Sequence, residues 1–146
     1  MPTRTARTAW NGSLQEGSGQ VELSSSKVGT YEVTFPKRAA DDAGGTTSPE
    51  ELIAAAHSAC FAMQLSNNVA QAGGTPQSLE VTAEVTLGPD QDRGGFMLTG
   101  IRLTVRGEVD GLDAAGFEKA AQDAKAGCPV SKALTGVEIT LDAALD

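Results

Sequence analysis

The chain has 146 residues, 40% apolar and 21% charged, which predicts a single globular domain over residues 1–146 with a core large enough to need no disulfide staples. Eleven Lys and Arg against 19 Asp and Glu give a net charge of -8, which excludes a large basic face for nucleic acid or anionic membranes. No apolar run approaches a membrane span, and the opening MPTRTARTAWNGS carries no apolar leader, so the expectation is a soluble, cytoplasmic protein.

In chain order, TARTAW (5–10), QVELSSS and VGTYEVTF are separated by turn-rich NGSLQEGSG and a second break, which predicts a β-meander. Pro36 ends the third strand, and 37–47 (KRAADDAGGTT) reads as a polar loop with Arg38 at its start. Ser48-Pro49-Glu50-Glu51 then opens a helix, with Ser48 as N-cap, Pro49 first in the helix and Glu51 as capping-box partner. That helix runs about 24 residues, ~36 Å, to Gly73-Gly74. Its many alanines beside Leu52, Ile53, Phe61, Met63 and Leu65 predict a helix buried nearly all round.

Period-2 alternation then predicts strands: Leu79, Val81, Ala83, Val85 and Leu87 face one way, and Ile101, Leu103 and Val105 repeat the pattern after a loop over 88–95. Residues 113–127 form a second helix stopped by Gly127, CPVSKAL starts a short third one with Pro129 first, and Val137, Ile139 and Leu141 close with a strand. One-sided sheets and a long buried helix make the class α+β. Neither an internal repeat nor a linker is visible.

Cys60, Cys128 and His57 are the whole inventory of thiol and imidazole chemistry, too small for most metal sites. Cys60 sits mid-helix, beyond reach of the helix dipole. It is either a small buried hydrophobe or a nucleophile needing a cation from elsewhere. Cys128, in Gly-Cys-Pro, is in effect the N-cap of a short helix, where backbone N–H groups favour a thiolate. A solitary pair of cysteines, one in a core helix and one on a mobile helix start, suggests attacking and resolving thiols that close a disulfide during turnover.

Arg38 is the candidate cation, since arginine stays charged in apolar surroundings; otherwise it is a solvated loop charge. With Glu51 assigned to the cap, Glu50 is left to hold an arginine fork. Glu50 and Cys60 are ten residues apart on one helix, ~15 Å, so a site using both takes them from two subunits. His57, one turn before Cys60, is either a packed core histidine or an imidazole partner for the thiol.

The segments TSPEELIAAAHSACFAMQLS, KAGCPVSKAL and VEITLDAAL closely resemble the osmotically inducible protein C and organic hydroperoxide resistance (OsmC/Ohr) family. AAAHSACF is more similar to the OsmC branch. The resemblance covers nearly the whole chain and implies antiparallel sheets wrapped around long central helices in an intertwined homodimer with sites at the subunit interface.

The implied activity is thiol-dependent reduction of organic hydroperoxides, in which Cys60 matches the peroxidatic cysteine, Cys128 the resolving cysteine and Glu50 the acidic residue of the Pro-Glu motif. Arg38 is the implied activating residue, with neighbouring Lys37 as the alternative because the segment FPKRAADDAGGTTSPE is longer than the family pattern. A dithiol, such as a lipoylated protein or dihydrolipoamide, is the implied reductant, and no metal, haem or nucleotide is required. Apolar neighbours of Cys60 favour organic peroxides over H2O2, at about 0.8 kcal/mol per buried CH2, with Met63 or Phe96 as pocket candidates if they are not core. The rival readings are a thiol-disulfide oxidoreductase, disfavoured by the lack of Cys-x-x-Cys, and a non-catalytic binding protein for acyl or other apolar ligands.

Overall fold

A computed structural model describes every residue from Met1 to Asp146. The chain divides into two compact units, Met1–Leu52 and Ile53–Asp146. In the first, β1 (Arg7–Asn11), β2 (Ser18–Glu22) and β3 (Thr30–Val33) form the expected antiparallel meander. Gly17 closes its first turn so tightly that a Cβ would stand 2.3 Å from the Ser13 carbonyl oxygen, so only glycine fits. The sheet has little core of its own: Val21 is its one buried apolar side chain, while Trp10 and Tyr31 are 40% and 42% exposed. A three-stranded sheet with one buried hydrophobe gains little from burial.

Where a loop was expected from Lys37, the chain instead makes one helical turn, α1 (Phe35–Arg38). Thr34 caps it, its hydroxyl accepting from the Lys37 N–H at 3.3 Å, and Pro36 supplies a helix-compatible φ in the first turn. The proline that stops β3 thus also starts α1, and Arg38 stands in a last turn rather than at a loop start.

Helix α2 (Pro49–Gln71) begins as predicted, with the Ser48 hydroxyl accepting from the Glu51 N–H at 3.2 Å. Only half of the capping box forms, however. The Glu51 carboxylate accepts from the Thr47 hydroxyl at 2.7 Å and does not turn back to Ser48.

In the second unit, β4 (Thr75–Pro89) and β5 (Phe96–Asp110) make a long antiparallel hairpin. Glu80, Thr82, Glu84 and Thr86 are exposed while the alternate residues Leu79 to Leu87 are partly covered, as the period predicts. The chain returns through α3 (Ala114–Gly127) and α4 (Pro129–Ala133), so β6 (Ile139–Leu145) joins β5 in parallel. This corrects the expectation of antiparallel sheets throughout, because a helical crossover brings the next strand back in the same direction.

Phe61, Leu65 and Val69 of α2, Leu103 and Val105 of β5, and Phe117, Ala120, Ala121 and Ala124 of α3 form one core with Cys128. Gly107 makes room for it: a Cβ there would lie 2.8 Å from the Phe117 ring.

The expectation of an α2 buried all round is not met within one chain. His57, Phe61, Leu65 and Val69 are buried at every fourth position, whereas Ala55, Ala56, Ala59 and Met63 are exposed, Met63 by 74%. A helix lying on a sheet covers one stripe, and here the uncovered stripe is also apolar.

Candidate active site

The residues singled out from the sequence gather in two clusters, one in each unit. In the first, the Arg38 guanidinium donates from Nε to Glu50 Oε1 and Oε2 at 3.0 and 3.2 Å, and from Nη2 to Oε1 at 2.7 Å. Glu50 is 7% exposed, and the planar fork matches its carboxylate. Glu50 pairs with an arginine although the Glu51 carboxylate, expected to close the capping box, bonds Thr47 instead. Lys37 takes no part in this pair; its amine lies over the backbone of Gly44. Beside Arg38 is a cavity of about 230 Å³ whose walls include Trp10, Leu14, Val33 and Phe35. It is lined mainly by apolar side chains.

In the second unit, the Cys60 and Cys128 sulfurs are 3.0 Å apart and both are free thiols. Cys60 comes from the middle of α2. Cys128 caps α4, with extended φ and ψ of -60° and 123° ahead of Pro129. Their burial is the reverse of what sequence position suggests. Cys128, expected on a mobile helix start, is wholly buried, and Cys60, expected in the core, is partly exposed because it borders the uncovered stripe of α2.

Burial pushes the Cys60 thiol above its ordinary value, and the adjacent Cys128 sulfur adds to the effect, against a smaller opposing pull from the Val130 N–H. Burial pushes Cys128 the same way, but hydrogen bonding from Cys60, from the backbone N–H and hydroxyl of Ser131, and from the Val130 N–H outweighs it, so its pKa is lowered. These donors act on the sulfur although it makes no regular capping bond. The two thiols titrate as a pair, with the negative charge settling first on Cys128.

His57 does not pair with Cys60. It is fully buried, its Nε2 lies 2.6 Å from the Ser131 hydroxyl, its Nδ1 has no partner, and burial lowers its pKa. Ser131 is the residue that sequence reasoning missed, although a signal was present: in Cys-Pro-Val-Ser it occupies the third helical position after the Cys128 cap, where its N–H faces the cap. Met63 and Phe96, considered as core or pocket residues, are 74% and 61% exposed and line no part of the apolar cavity. No three His, Cys, Asp or Glu side chains come together as a metal-holding group, and no helix is long and apolar enough to cross a membrane.

The OsmC-like protein family model matches residues 41–142, a span that includes Glu50 and both cysteines but not Arg38. The chain is 44% identical over 133 residues to the protein named peroxiredoxin OsmC of Escherichia coli, covering 91% of this chain and 90% of that one. It is 41% identical over 101 residues, 67% of each, to the organic hydroperoxide resistance protein OhrA of Bacillus subtilis. Its fold is similar to that of an organic hydroperoxide resistance protein OsmC from Legionella pneumophila, with a TM-score of 0.78 at 26% identity and coverage of 99% and 98%. The chain therefore belongs to the OsmC-like protein family.

Proposed function

We propose that this protein is a cysteine-based peroxidase that reduces organic hydroperoxides to alcohols. The observation that carries the reading is the contact between its two cysteine sulfurs, 68 residues apart in sequence and 3.0 Å apart in space. The names of its relatives support the same chemistry.

Cys60 thiolate attacks the distal peroxide oxygen. An S–O bond forms, the O–O bond breaks, and the alkoxide takes a proton and leaves as alcohol, with Cys60 oxidised to a sulfenic acid. Cys128 thiolate then attacks the sulfenic sulfur; the S–S bond forms as the S–O bond breaks, and hydroxide leaves as water after protonation. An external dithiol, dihydrolipoamide or a lipoylated protein, reduces the disulfide by exchange.

Cys60 needs a cation, since its own surroundings raise its pKa. Arg38, held by Glu50, supplies it and stabilises charge developing on the peroxide oxygens. Glu50 and Cys60 are ten residues apart on α2, ~15 Å of rise, so the Arg38–Glu50 pair of one chain serves the cysteines of a second. Residues 1–146 thus act as one protomer of a homodimer, and the bare stripe of α2 and thin core of the meander are the surfaces that a second copy covers. The apolar cavity beside Arg38 takes the organic tail of the peroxide.

The test is cumene hydroperoxide consumption driven by dihydrolipoamide. Wild type turns over, Cys60→Ser consumes no peroxide, and Cys128→Ser consumes about one equivalent and stops. Unchanged turnover in Cys60→Ser refutes the mechanism, and an apolar-ligand binding protein shows no turnover in any of the three.

A further inference from the structure

We propose that His57 and Ser131 form a buried relay that sets the state of Cys128: His57 Nε2–H donates to the Ser131 hydroxyl oxygen, leaving the Ser131 O–H to donate to the Cys128 sulfur. The inference builds on the resolving role given to Cys128 above.

Four observations meet here. The histidine is fully buried, and its Nε2 is 2.6 Å from Ser131 Oγ. Ser131 itself is 3% exposed, so neither group exchanges its partner for water. Nδ1 is buried with no partner at all. Finally, Ser131 is the third residue of the helix that Cys128 caps, so its N–H faces that cap, and its hydroxyl lies within hydrogen-bonding reach of the Cys128 sulfur.

The direction of the relay follows from the orphaned nitrogen. Buried N–H groups without an acceptor are rarer and dearer than unused lone pairs. The ring proton therefore sits on Nε2, and Nδ1 keeps a bare lone pair. With Nε2–H as donor, Ser131 Oγ is the acceptor and its own hydrogen is free for a second bond. In the opposite tautomer the serine would spend that hydrogen on the ring, and Cys128 would face only lone pairs.

Hydrogen bonding from Ser131 is among the influences that lower the Cys128 pKa. Of the ionisable groups on neighbouring elements, Cys60 of α2 touches Cys128 and His57 of α2 reaches it through Ser131. Lys125 of α3 and Lys132 of α4 line a surface groove with Ser131, but neither is among the groups that shift Cys128.

His57 and Ser131 are positioning residues in this scheme. They touch no substrate; they favour the thiolate form of the sulfur that attacks in the second step and hold it in place. They also explain how a fully buried cysteine serves as a nucleophile.

The test reads Cys128 alone. In a Cys60→Ser background, thiolate absorbance against pH gives the Cys128 titration without peroxide or reductant. Ser131→Ala is expected to raise its midpoint by roughly one pH unit, the worth of one hydrogen bond to an anion. Ser131→Thr, which keeps the hydroxyl, restores the original midpoint. His57→Phe raises it in the same direction, and His57→Gln, whose amide can still donate, raises it less.

In the otherwise unaltered chain, Ser131→Ala slows closure of the Cys60–Cys128 disulfide at pH 7, by up to about tenfold for a one-unit rise in the Cys128 midpoint. A midpoint that Ser131→Ala does not move, or that Ser131→Thr moves equally, overturns the relay; if His57→Phe fails to fold, the serine pair still decides. Because the titration involves no turnover, a protein that proves not to be a peroxidase leaves this result readable on its own.

Discussion

Arg38 grips Glu50 with two guanidinium nitrogens, Nε and Nη2, at 3.0 and 2.7 Å from the same carboxylate oxygen. The arginine side chain is 35% exposed and the glutamate side chain 9%, so one face of the guanidinium is held while the other is available. Arg38→Ala is expected to lower hydroperoxide turnover about 100- to 1,000-fold, as loss of one preorganised donor does. Arg38→Lys should recover little, since an ammonium cannot make the fork. Glu50→Ala should cost about 1–2 kcal/mol of stability, at the low end for a charge-assisted bond because Arg38 remains partly solvated. Steady-state rates and urea unfolding midpoints measure the two effects.

The proposed sharing of the site between two chains predicts complementation. Mixed dimers of Arg38→Ala and Cys60→Ser chains contain one intact combination of Arg38 and Cys60 and one doubly defective one. Random assortment makes half the population mixed, so activity should return to about a quarter of wild type. Activity that stays at background in a verified mixed dimer would mean that Arg38 and Cys60 act within one chain.

The bare stripe of α2 supplies a test of assembly. Met63→Glu or Ala59→Glu puts a charge on an apolar face that is open to water in one chain and buried in the proposed dimer. Each should shift sedimentation from dimer toward monomer and reduce turnover in parallel. Neither should change the fold of the second unit, whose core lies on the opposite side of the helix. A Glu variant that sediments as wild type removes this stripe from the interface.

His57 makes stability depend on pH in a definite direction. Burial lowers its folded pKa below 6.5, so between that folded value and 6.5 the unfolded chain binds more protons than the folded one. Stability is therefore full above pH 6.5 and falls as pH drops through this window, with a limiting slope of about 1.4 kcal/mol per pH unit. Urea midpoints followed from pH 7.5 down to about 5.5 should show the decline in wild type and lose it in His57→Gln. The range ends above the usual carboxylate region, so Asp and Glu titration adds little.

Packing around Gly107 predicts a steric penalty. An alanine methyl would meet the Phe117 ring at 2.8 Å and Leu79 at 3.0 Å, and neither neighbour is a flexible chain end in open water. Gly107→Ala should destabilise the protein by about 1–3 kcal/mol, whereas Gly100→Ala, with nothing within 4 Å of its Cβ, should be close to neutral. Thermal unfolding of the two variants gives the comparison.

Much of the local structure was legible because its causes are local. Alternation along β4 and β5, Ser48 and Pro49 at the start of α2, and Cys128-Pro129 at the start of α4 each act within a few residues. The turn at α1 was equally local, but Pro36 has two meanings, and the capping hydroxyl of Thr34 decided between them. Glu50 was assigned to an arginine by elimination, and the fork to Arg38 forms although the premise fails: the Glu51 carboxylate bonds Thr47 and not the Ser48 backbone.

By itself the sequence determined the α+β class, the helix starts, the family, and the short roster from which any chemistry must be drawn: two thiols, one imidazole, and an arginine with a spare glutamate. Tertiary structure alone decided that Cys60 and Cys128 meet, that Arg38 and not Lys37 pairs with Glu50, that His57 turns to Ser131, and that β6 runs parallel to β5. Those outcomes depend on contacts between residues 12 to 74 positions apart, and no periodicity or cap encodes where distant segments touch. The same reason accounts for the reversed burial of the two cysteines. A helix pattern states how apolar its faces are, and only packing states which face is covered.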